Sequence, residues 1–255
     1  MIVREHENEY IMIEQDNHAH ISGELAAAWK DTLFAGNDLR KSVEYAVSNH
    51  DLGWRPFDKQ PFWNDQQHMP YTFIDFPVLA KTVLYKYGID EVASRDTYAS
   101  LLCSRHYTRF LVHHESPEAQ QFVQQEKDRQ QRIMESFAAF DQDNYDYHYA
   151  LLQFFDNVSL YICLNDPGVA KQDEHRFFKS GIPVSDAFTF FKQDKAWIEW
   201  RNDQTIQMEC FPFDGQVDLT LKQKVITKET IAKKGLLNSY QDAPYERQEI
   251  HLIGR

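Results

Sequence analysis

The four residues Asn165-Asp166-Pro167-Gly168 form the strongest turn signal in this chain of 255 residues. Proline fixes its own backbone and disfavours helix in the residue before it, while glycine and asparagine favour tight turns. Before this turn the apolar residues recur with helical spacing, and after it they alternate as in β-strands. We therefore predict a helical N-terminal unit over residues 1–166 and a smaller β-rich C-terminal subdomain over residues 167–255.

The N-terminal unit is expected to be helical, with a short β-hairpin at its start. Ile2-Val3 and Tyr10-Ile11-Met12-Ile13 are the two β-like runs of that hairpin. Ser116-Pro117-Glu118 is typical of a helix start, because it supplies a capping residue, a proline and an acid in the first turn. Residues 145–164 are apolar on nearly every side, which indicates a central buried helix. The other predicted helices lie at about residues 16–29, 39–50, 74–88, 92–114 and 118–140.

The C-terminal region carries the pattern of a small sheet. Two runs, residues 197–200 and 205–210, flank Asn202-Asp203 and predict a second hairpin. Residues 217–225 alternate between apolar and polar side chains, and residues 249–253 are the last candidate strand. For the whole molecule we expect a mainly α fold, in which a helical bundle carries this smaller β-rich part.

Charge and composition exclude several classes of function. Lys and Arg total 27 and Asp and Glu total 39, so the formal net charge is -12, which disfavours binding to nucleic-acid polymers. The three cysteines lack the spacing of a zinc ribbon or a disulfide framework. The longest apolar stretch, residues 151–164, is interrupted by polar residues, and the polar N-terminus does not look like a signal peptide. We expect a cytoplasmic protein without a membrane partner, and the sequence carries no signal for its oligomeric state.

The dipeptide His50-Asp51, followed by Leu52 and Gly53, is the main candidate for chemistry. Neighbouring side chains on a helix point about 100° apart. They can share one ion only where the helix ends, and Gly53 favours such an end. An imidazole nitrogen beside a carboxylate oxygen suits Mn, Fe, Co, Ni or Zn and tolerates Mg.

Two distant residues strengthen this candidate. His20 lies on the first predicted helix, two residues after His18, and shares a helical face with Glu24. Asp156 lies inside the apolar helix at 145–164, where an unpaired carboxylate is unfavourable. Asp156 is therefore either a metal ligand or a partner in a hydrogen bond or ion pair between helices.

The order of these residues resembles the HD-domain superfamily of metal-dependent phosphohydrolases. The pattern is His20, then His50-Asp51 before a glycine, then Asp156 on a late apolar helix. The strings His18-Ala19-His20-Ile21-Ser22-Gly23-Glu24-Leu25-Ala26 and His50-Asp51-Leu52-Gly53-Trp54 are similar to those of an uncharacterised bacterial branch. The resemblance covers about residues 16–166, and the residues from 168 onward have no counterpart in it.

The resemblance implies an HD-like helical bundle in which His20, His50, Asp51 and Asp156 hold one divalent metal ion, either Mn, Fe, Co, Ni, Zn or Mg. It also implies a hydrolase in which a metal-activated water attacks a phosphoester, for example a nucleotide. A bound cation lowers the pKa of its water, and Asp51 is placed to orient or deprotonate that water. The expected ligand besides the metal is a small phosphorylated molecule.

His106 is a second catalytic candidate. Helical spacing places it on one face with Leu102, Cys103 and Phe110, so we expect its side chain to point inward. Superfamily members with two metals carry further histidines between the His-Asp pair and the last Asp. His106 is therefore either an extra ligand or general acid, or a histidine satisfied within the core.

Arginines and aromatic residues supply the candidates for substrate binding. Arg105 and Arg109 lie one turn apart and form either a phosphate clamp or a solvated, ion-paired face. Lys81 is a weaker candidate of the same kind. The long aromatic loop at residues 55–72 is typical of a pocket wall. The side chains proposed for that wall and its mouth are Trp54, Phe57, Trp63, His68 and Phe73.

Two other functions are compatible with the same residues. Some relatives of the superfamily are di-iron oxygenases, which need additional histidine ligands, and His106 is available for that role. The alternative is a non-catalytic metal- or ligand-binding regulatory protein, because the C-terminal β region offers no evident catalytic group.

Overall fold

The long apolar helix ends at Leu164, directly before the Asn165-Asp166-Pro167-Gly168 turn, as the sequence predicts. The computed structural model describes residues 1–255. Its helices are α1 (Gln15–Ala27), α2 (Arg40–Asn49), α3 (Arg55–Asp58), α4 (Val78–Ala93), α5 (Thr97–Leu111), α6 (Pro117–Ser136), α7 (Gln142–Leu164), α8 (Lys228–Lys234) and α9 (Leu236–Asp242). The helix start predicted at Ser116 is confirmed, because the Ser116 hydroxyl accepts a hydrogen bond from Ala119 N. None of the helices combines the length and apolar character needed to cross a membrane.

The strands are β1 (Ile2–Glu5), β2 (Glu9–Ile13), β3 (Trp63–Asn64), β4 (Met69–Pro70), β5 (Ile182–Pro183), β6 (Lys195–Ala196), β7 (Ile198–Trp200), β8 (Thr205–Met208), β9 (Val217–Thr227) and β10 (Glu246–Gly254). Six of them form one mixed sheet in the order β1-β2-β9-β10-β8-β7. β10 runs parallel to β8, and all other neighbours in this sheet are antiparallel. Two further pairs, β3-β4 and β5-β6, form small two-stranded sheets.

The prediction of a mainly α fold is wrong, because this large sheet makes the molecule an α/β structure. The six strands of this sheet were predicted close to their observed positions, but their assembly into one sheet was not. The N-terminal hairpin pairs with the C-terminal strands, with Tyr10 of β2 opposite Ile226 of β9. Local periodicity indicates where strands form, whereas pairing between residues more than 200 positions apart depends on tertiary packing. This pairing crosses the predicted boundary at residue 166.

α1 connects the sheet to the helical layer, since it packs against α2, α7 and β9. Trp29, just beyond the end of α1, is buried among aromatic rings of α7 and of the C-terminal region. Its ring centroid lies 5.3 Å from that of Phe155, 5.7 Å from that of Phe154 and 5.8 Å from that of Phe213. Fully buried aromatic contacts of this kind fix the position of α1 against α7.

Gly53 is required by close packing rather than by helix termination. α2 ends at Asn49, and residues 52–54 form a short 3-10 turn against α4. A Cβ atom added at Gly53 would overlap the backbone carbonyl oxygen of Leu84, and Gly88 meets the backbone of Gly53 in the same way. The two glycines let α4 approach the turn that follows Asp51, which closes the helical layer around that residue.

Candidate metal centre

His50 presents one buried nitrogen without a partner. It directly follows α2, and its Nδ1 donates to the Val47 carbonyl oxygen at 2.7 Å. A carbonyl can only accept, so Nδ1 carries a proton and Nε2 carries the lone pair of the neutral ring. That Nε2 atom is buried and has no hydrogen-bond partner. The ring is therefore oriented as in metal-ligating histidines, whose other nitrogen donates to a fixed acceptor.

Two buried carboxylates face this nitrogen. Asp51 Oδ2 lies 3.9 Å from His50 Nε2, and Asp156 Oδ1 of α7 lies 3.5 Å from it. Both aspartates are almost fully buried. The sequence interpretation that brought His50, Asp51 and Asp156 together therefore agrees with the geometry. These three side chains belong to one buried cluster, to which the apolar helix α7 contributes Asp156.

His18 occupies the position that the sequence interpretation gave to His20. His18 is completely buried, and its Nε2 lies 2.9 Å from Asp51 Oδ2 and 3.8 Å from Asp156 Oδ1. The His20 side chain is 53% exposed and its Nδ1 bonds to the Asp16 carbonyl oxygen at 2.6 Å. The structure therefore corrects the ligand set, since His20 does not reach the cluster.

The tautomer of His18 follows from its neighbour. The Ser159 hydroxyl donates to the Asp156 carbonyl oxygen at 2.9 Å, so it accepts from His18 Nδ1 at 2.7 Å. Like His50, His18 thus keeps its proton on Nδ1 and turns Nε2 toward the carboxylates. A neutral Nε2 and a carboxylate at 2.9 Å repel one another unless a proton or a metal cation lies between them.

The sequence contained a signal for His18 that the interpretation overlooked. His18, Ile21, Ser22 and Leu25 recur at i, i+3, i+4 and i+7, and all four are buried. Two residues along a helix rotate a side chain by about 200°, so His18 and His20 lie on nearly opposite faces. Assigning the buried face of the helix from these four positions would have selected His18.

His106 of α5 lies beside the same cluster. It is 1% exposed, its ring centroid is 5.0 Å from that of His50, and its Nδ1 has no hydrogen-bond partner. The prediction that this side chain points inward is confirmed. Two groups have the spacing to hold a metal ion: His18 with His50 and Asp51, and His50 with His106 and Asp156.

The two groups share His50, which limits how many ions they hold. Nδ1 of His50 is committed to Val47, so only Nε2 is free, and one imidazole nitrogen ligates one ion. The arrangement therefore argues against two ions with complete and separate ligand sets.

The electrostatics of the cluster favour one positive charge. Burial opposes protonation of His50, but the Asp51 and Asp156 carboxylates outweigh it and raise the pKa of His50 to about 9. At His106 burial dominates and lowers the pKa to about 3. Burial alone would raise the pKa of Asp51 and of Asp156, yet the facing histidines hold each below its ordinary value. The two carboxylates thus stay ionised and require a cation between them.

A cavity of about 510 Å³ opens onto this cluster. Asp51, His106 and Asp156 line it together with two basic residues, Lys81 and Arg109. Arg109 Nη2 lies 3.8 Å from Asp156 Oδ2, and burial lowers the pKa of Lys81. The cavity therefore brings positive side chains next to the candidate metal ligands.

Arg105 does not take part, although the sequence paired it with Arg109. Its Nη1 donates to Asp146 at 2.6 Å, and its guanidinium carbon lies 4.1 Å from the Tyr149 ring centroid. Arg105 is absent from the cavity wall. The ion-paired interpretation therefore fits Arg105, and the substrate-facing one fits only Arg109.

The walls of the cavity come from both parts of the chain. Of the five side chains proposed for the wall and mouth, Trp54 and Phe73 line the cavity, while Phe57, Trp63 and His68 do not. The segment after α7 also contributes, which the sequence did not reveal. Its lining residues are Phe177, Phe178 and Pro183.

Comparison with known proteins identifies a family but no function. A family model described as "Protein of unknown function (DUF3891)" matches residues 1–228. No curated protein and no solved structure matches the chain.

Proposed function

The chain belongs to the DUF3891 family, whose description assigns no activity, and from its buried site we propose that it is a metal-dependent hydrolase of a small phosphoester. The observation that carries this proposal is the Nε2 atom of His50, which is buried, unpaired and faced by two carboxylates. A proton satisfies this nitrogen only in part, because no carboxylate oxygen lies within hydrogen-bond distance of it. A divalent cation placed between these atoms would satisfy all of them.

The proposed ligands are His18, His50, Asp51 and Asp156, and His106 is the candidate for a fifth. Two imidazole nitrogens and two carboxylates suit first-row transition metals and leave positions open for water and substrate. When bound, a divalent cation would polarise the phosphoryl oxygens and lower the pKa of a water in the site. The order of the ligands along the chain supports an HD-type site in which His18 stands in place of His20.

Other roles in the proposed reaction, namely binding the phosphoryl group and accepting a proton, would fall to side chains that line the cavity. Arg109 and Lys81 line the cavity and would bind the phosphoryl oxygens by charge-assisted hydrogen bonds. Asp51, whose carboxylate lines the cavity, would accept a proton from the attacking water. His106 does not suit the role of general acid, since its lowered pKa keeps it neutral, so it would act as a ligand or an acceptor.

The size and lining of the cavity indicate the kind of substrate. A volume of about 510 Å³ accommodates a small organic phosphate but not a polymer. Trp54, Phe73 and Phe178 supply flat apolar surface for the organic group, which can include a nucleobase. The net charge of -12 disfavours long nucleic acids as substrates.

Metal content and hydrolysis together test the proposal. The purified protein should retain close to one divalent metal per chain, and Asp156→Asn should lose it because the neutral amide no longer balances the cation. A panel of phosphomonoesters and phosphodiesters, assayed with Mn, Co, Ni and Mg, should show turnover in the wild type only. Absence of both bound metal and turnover would overturn the proposal. Two irons per chain with oxygen consumption would indicate an oxygenase, and bound metal without turnover on any ester would indicate a regulatory role.

A further inference from the structure

Gln15 lies in the first turn of α1, one turn before His18, and lines the cavity beside Asp51. Its side chain is buried, with only 2% of the residue exposed. Nε2 donates to Asp51 Oδ2 at 2.9 Å, whereas Oε1 is buried without any hydrogen-bond donor. The backbone is also held, since Gln15 N donates to Asp58 Oδ2 at 2.5 Å. Both the position and the direction of this side chain are therefore set by its neighbours.

The amide of Gln15 has one sensible orientation. Exchanging its nitrogen and oxygen would place Oε1 against the Asp51 carboxylate, and two acceptors would then face each other. Oε1 is thus left as a fixed acceptor without a donor, on a residue that lines the cavity. A buried acceptor without a donor is unfavourable, so a donor that enters the site is the expected partner.

A water activated in this site can supply the hydrogen-bond donor that Oε1 lacks. When its lone pair faces a cation, such a water presents its two O–H groups as donors and needs two acceptors. Asp51 and Gln15 Oε1 are neighbouring acceptors that the Nε2–Oδ2 hydrogen bond holds together. No other glutamine or asparagine amide in the structure bonds to a member of the cluster.

We propose that Gln15 is a catalytic residue that orients the attacking water through Oε1 while its Nε2 holds Asp51 in position. This inference rests on the proposed hydrolase function. In the reaction the water oxygen bonds to phosphorus as the ester P–O bond breaks, and its electron pair leaves on the alkoxide. One water proton passes to Asp51, which later releases it to solvent, and the alkoxide takes up a proton from solvent water. A phosphomonoester thus yields inorganic phosphate and an alcohol. The Gln15 amide neither gains nor loses a proton.

Three variants test this role. Gln15→Met removes both amide atoms at similar length, and Gln15→Glu keeps oxygen acceptors but removes the donor to Asp51. Gln130→Met is the matched control, because Gln130 is a half-buried glutamine of α6 whose amide bonds to Ser104 instead. For each protein we would measure Mn²⁺ affinity by calorimetry, the melting temperature with and without Mn²⁺, and kcat and KM on the phosphoester that the wild type hydrolyses best.

In the Gln15→Met variant we expect Mn²⁺ affinity to fall about 10-fold, as for other residues that hold a metal ligand in place. We expect kcat to fall about 100-fold, as when a preorganised hydrogen bond at a reacting group is lost, with KM nearly unchanged. Without metal its melting temperature should stay within about 3 °C of the wild type, since an unsatisfied acceptor is removed together with one hydrogen bond. Gln130→Met should match the wild type in affinity and kcat, and Gln15→Glu should lose about as much kcat as Gln15→Met, because its second carboxylate oxygen would face the Asp51 carboxylate.

The inference is overturned if Gln15→Met binds Mn²⁺ and turns over substrate as the wild type does. It is also overturned if Gln15→Glu turns over substrate as the wild type does, because the hydrogen bond from Gln15 Nε2 to Asp51 would then contribute nothing. In both cases the wild type still binds metal and hydrolyses ester, so the proposed function stands. If the wild type itself binds no Mn²⁺, the proposed function fails and this role fails with it.

Discussion

The Nε2 atom of His50 lies 3.5 Å from Oδ1 of Asp156, and no neighbouring atom forms a hydrogen bond with that nitrogen. The distance is too long for a hydrogen bond, yet both groups are buried and of complementary charge when His50 is protonated. A nitrogen and a carboxylate oxygen at this separation are expected where a metal cation, rather than a proton, lies between them. The relationship leads to separate expectations for the metal-free and metal-bound protein.

In the metal-free protein, stability should decline as the pH rises from 6.5 to about 9, because the carboxylates raise the pKa of His50 over that range. Below 6.5 the folded and unfolded chains both hold this proton and the stabilisation is fully present. Above 6.5 only the folded chain holds it, and the contribution disappears by the folded pKa. The loss is at most about 3 kcal/mol, at about 1.4 kcal/mol per pKa unit. Urea unfolding after chelation, followed across this pH window, measures it.

His50→Gln provides the control for that experiment, because glutamine does not titrate. Its stability should change little over the same window, and saturating Mn²⁺ should flatten the wild-type curve because the cation replaces the proton. An equal decline in His50→Gln would show that another group is responsible.

His18 and His20 should differ sharply although they are two residues apart. His18→Ala removes a buried nitrogen at 2.9 Å from Asp51 Oδ2, so we expect metal affinity to fall at least about 100-fold, beyond the loss typical of outer-sphere partners. His20→Ala should leave affinity unchanged, since that side chain is 53% exposed. Calorimetry with Mn²⁺ or Co²⁺ measures the metal affinity of both variants. An equal loss of affinity in His20→Ala would return His20 to the ligand set.

Arg109 and Arg105 form a second matched pair on α5. Arg109→Met should raise KM for a phosphoester about 10-fold, as expected when one charge-assisted hydrogen bond to the substrate is lost. Its metal affinity should stay the same or rise slightly, because a positive charge 3.8 Å from Asp156 is removed. Arg105→Met should leave KM unchanged, since Arg105 pairs with Asp146 away from the cavity. Steady-state kinetics in which Arg105→Met raised KM equally would contradict this assignment.

Gly53→Ala should destabilise the protein through a steric overlap. The added methyl group would meet the Leu84 carbonyl oxygen, and overpacking against backbone costs about 1–3 kcal/mol or more. Gly215→Ala separates this effect from backbone strain, because Gly215 has φ +69° but no atom within 4 Å of an added Cβ. That control should lose only about 1 kcal/mol. Urea midpoints compare the two, and a Gly53→Ala loss no larger than that of Gly215→Ala would argue against the tight contact.

Several features were predictable because they depend on neighbours in the chain. The start of α6 at Pro117 follows from Ser116 and Pro117 themselves, and the end of α7 at Leu164 follows from the turn directly after it. The inward direction of His106 follows from the apolar residues on its helical face. Each of these depends on interactions within one or two helical turns, which the sequence displays directly.

The sequence by itself determined where the long helices and the six strands of the main sheet form, and it brought His50, Asp51 and Asp156 together as candidate ligands. Only the tertiary structure decided that His18 rather than His20 joins them, because a helix rotated by two residues presents its opposite face. It also decided that β2 pairs with β9, and that Phe177 and Phe178 line the cavity. These contacts join residues distant in the chain, and their free energy comes from burying apolar surface and pairing backbone groups, which no local pattern encodes.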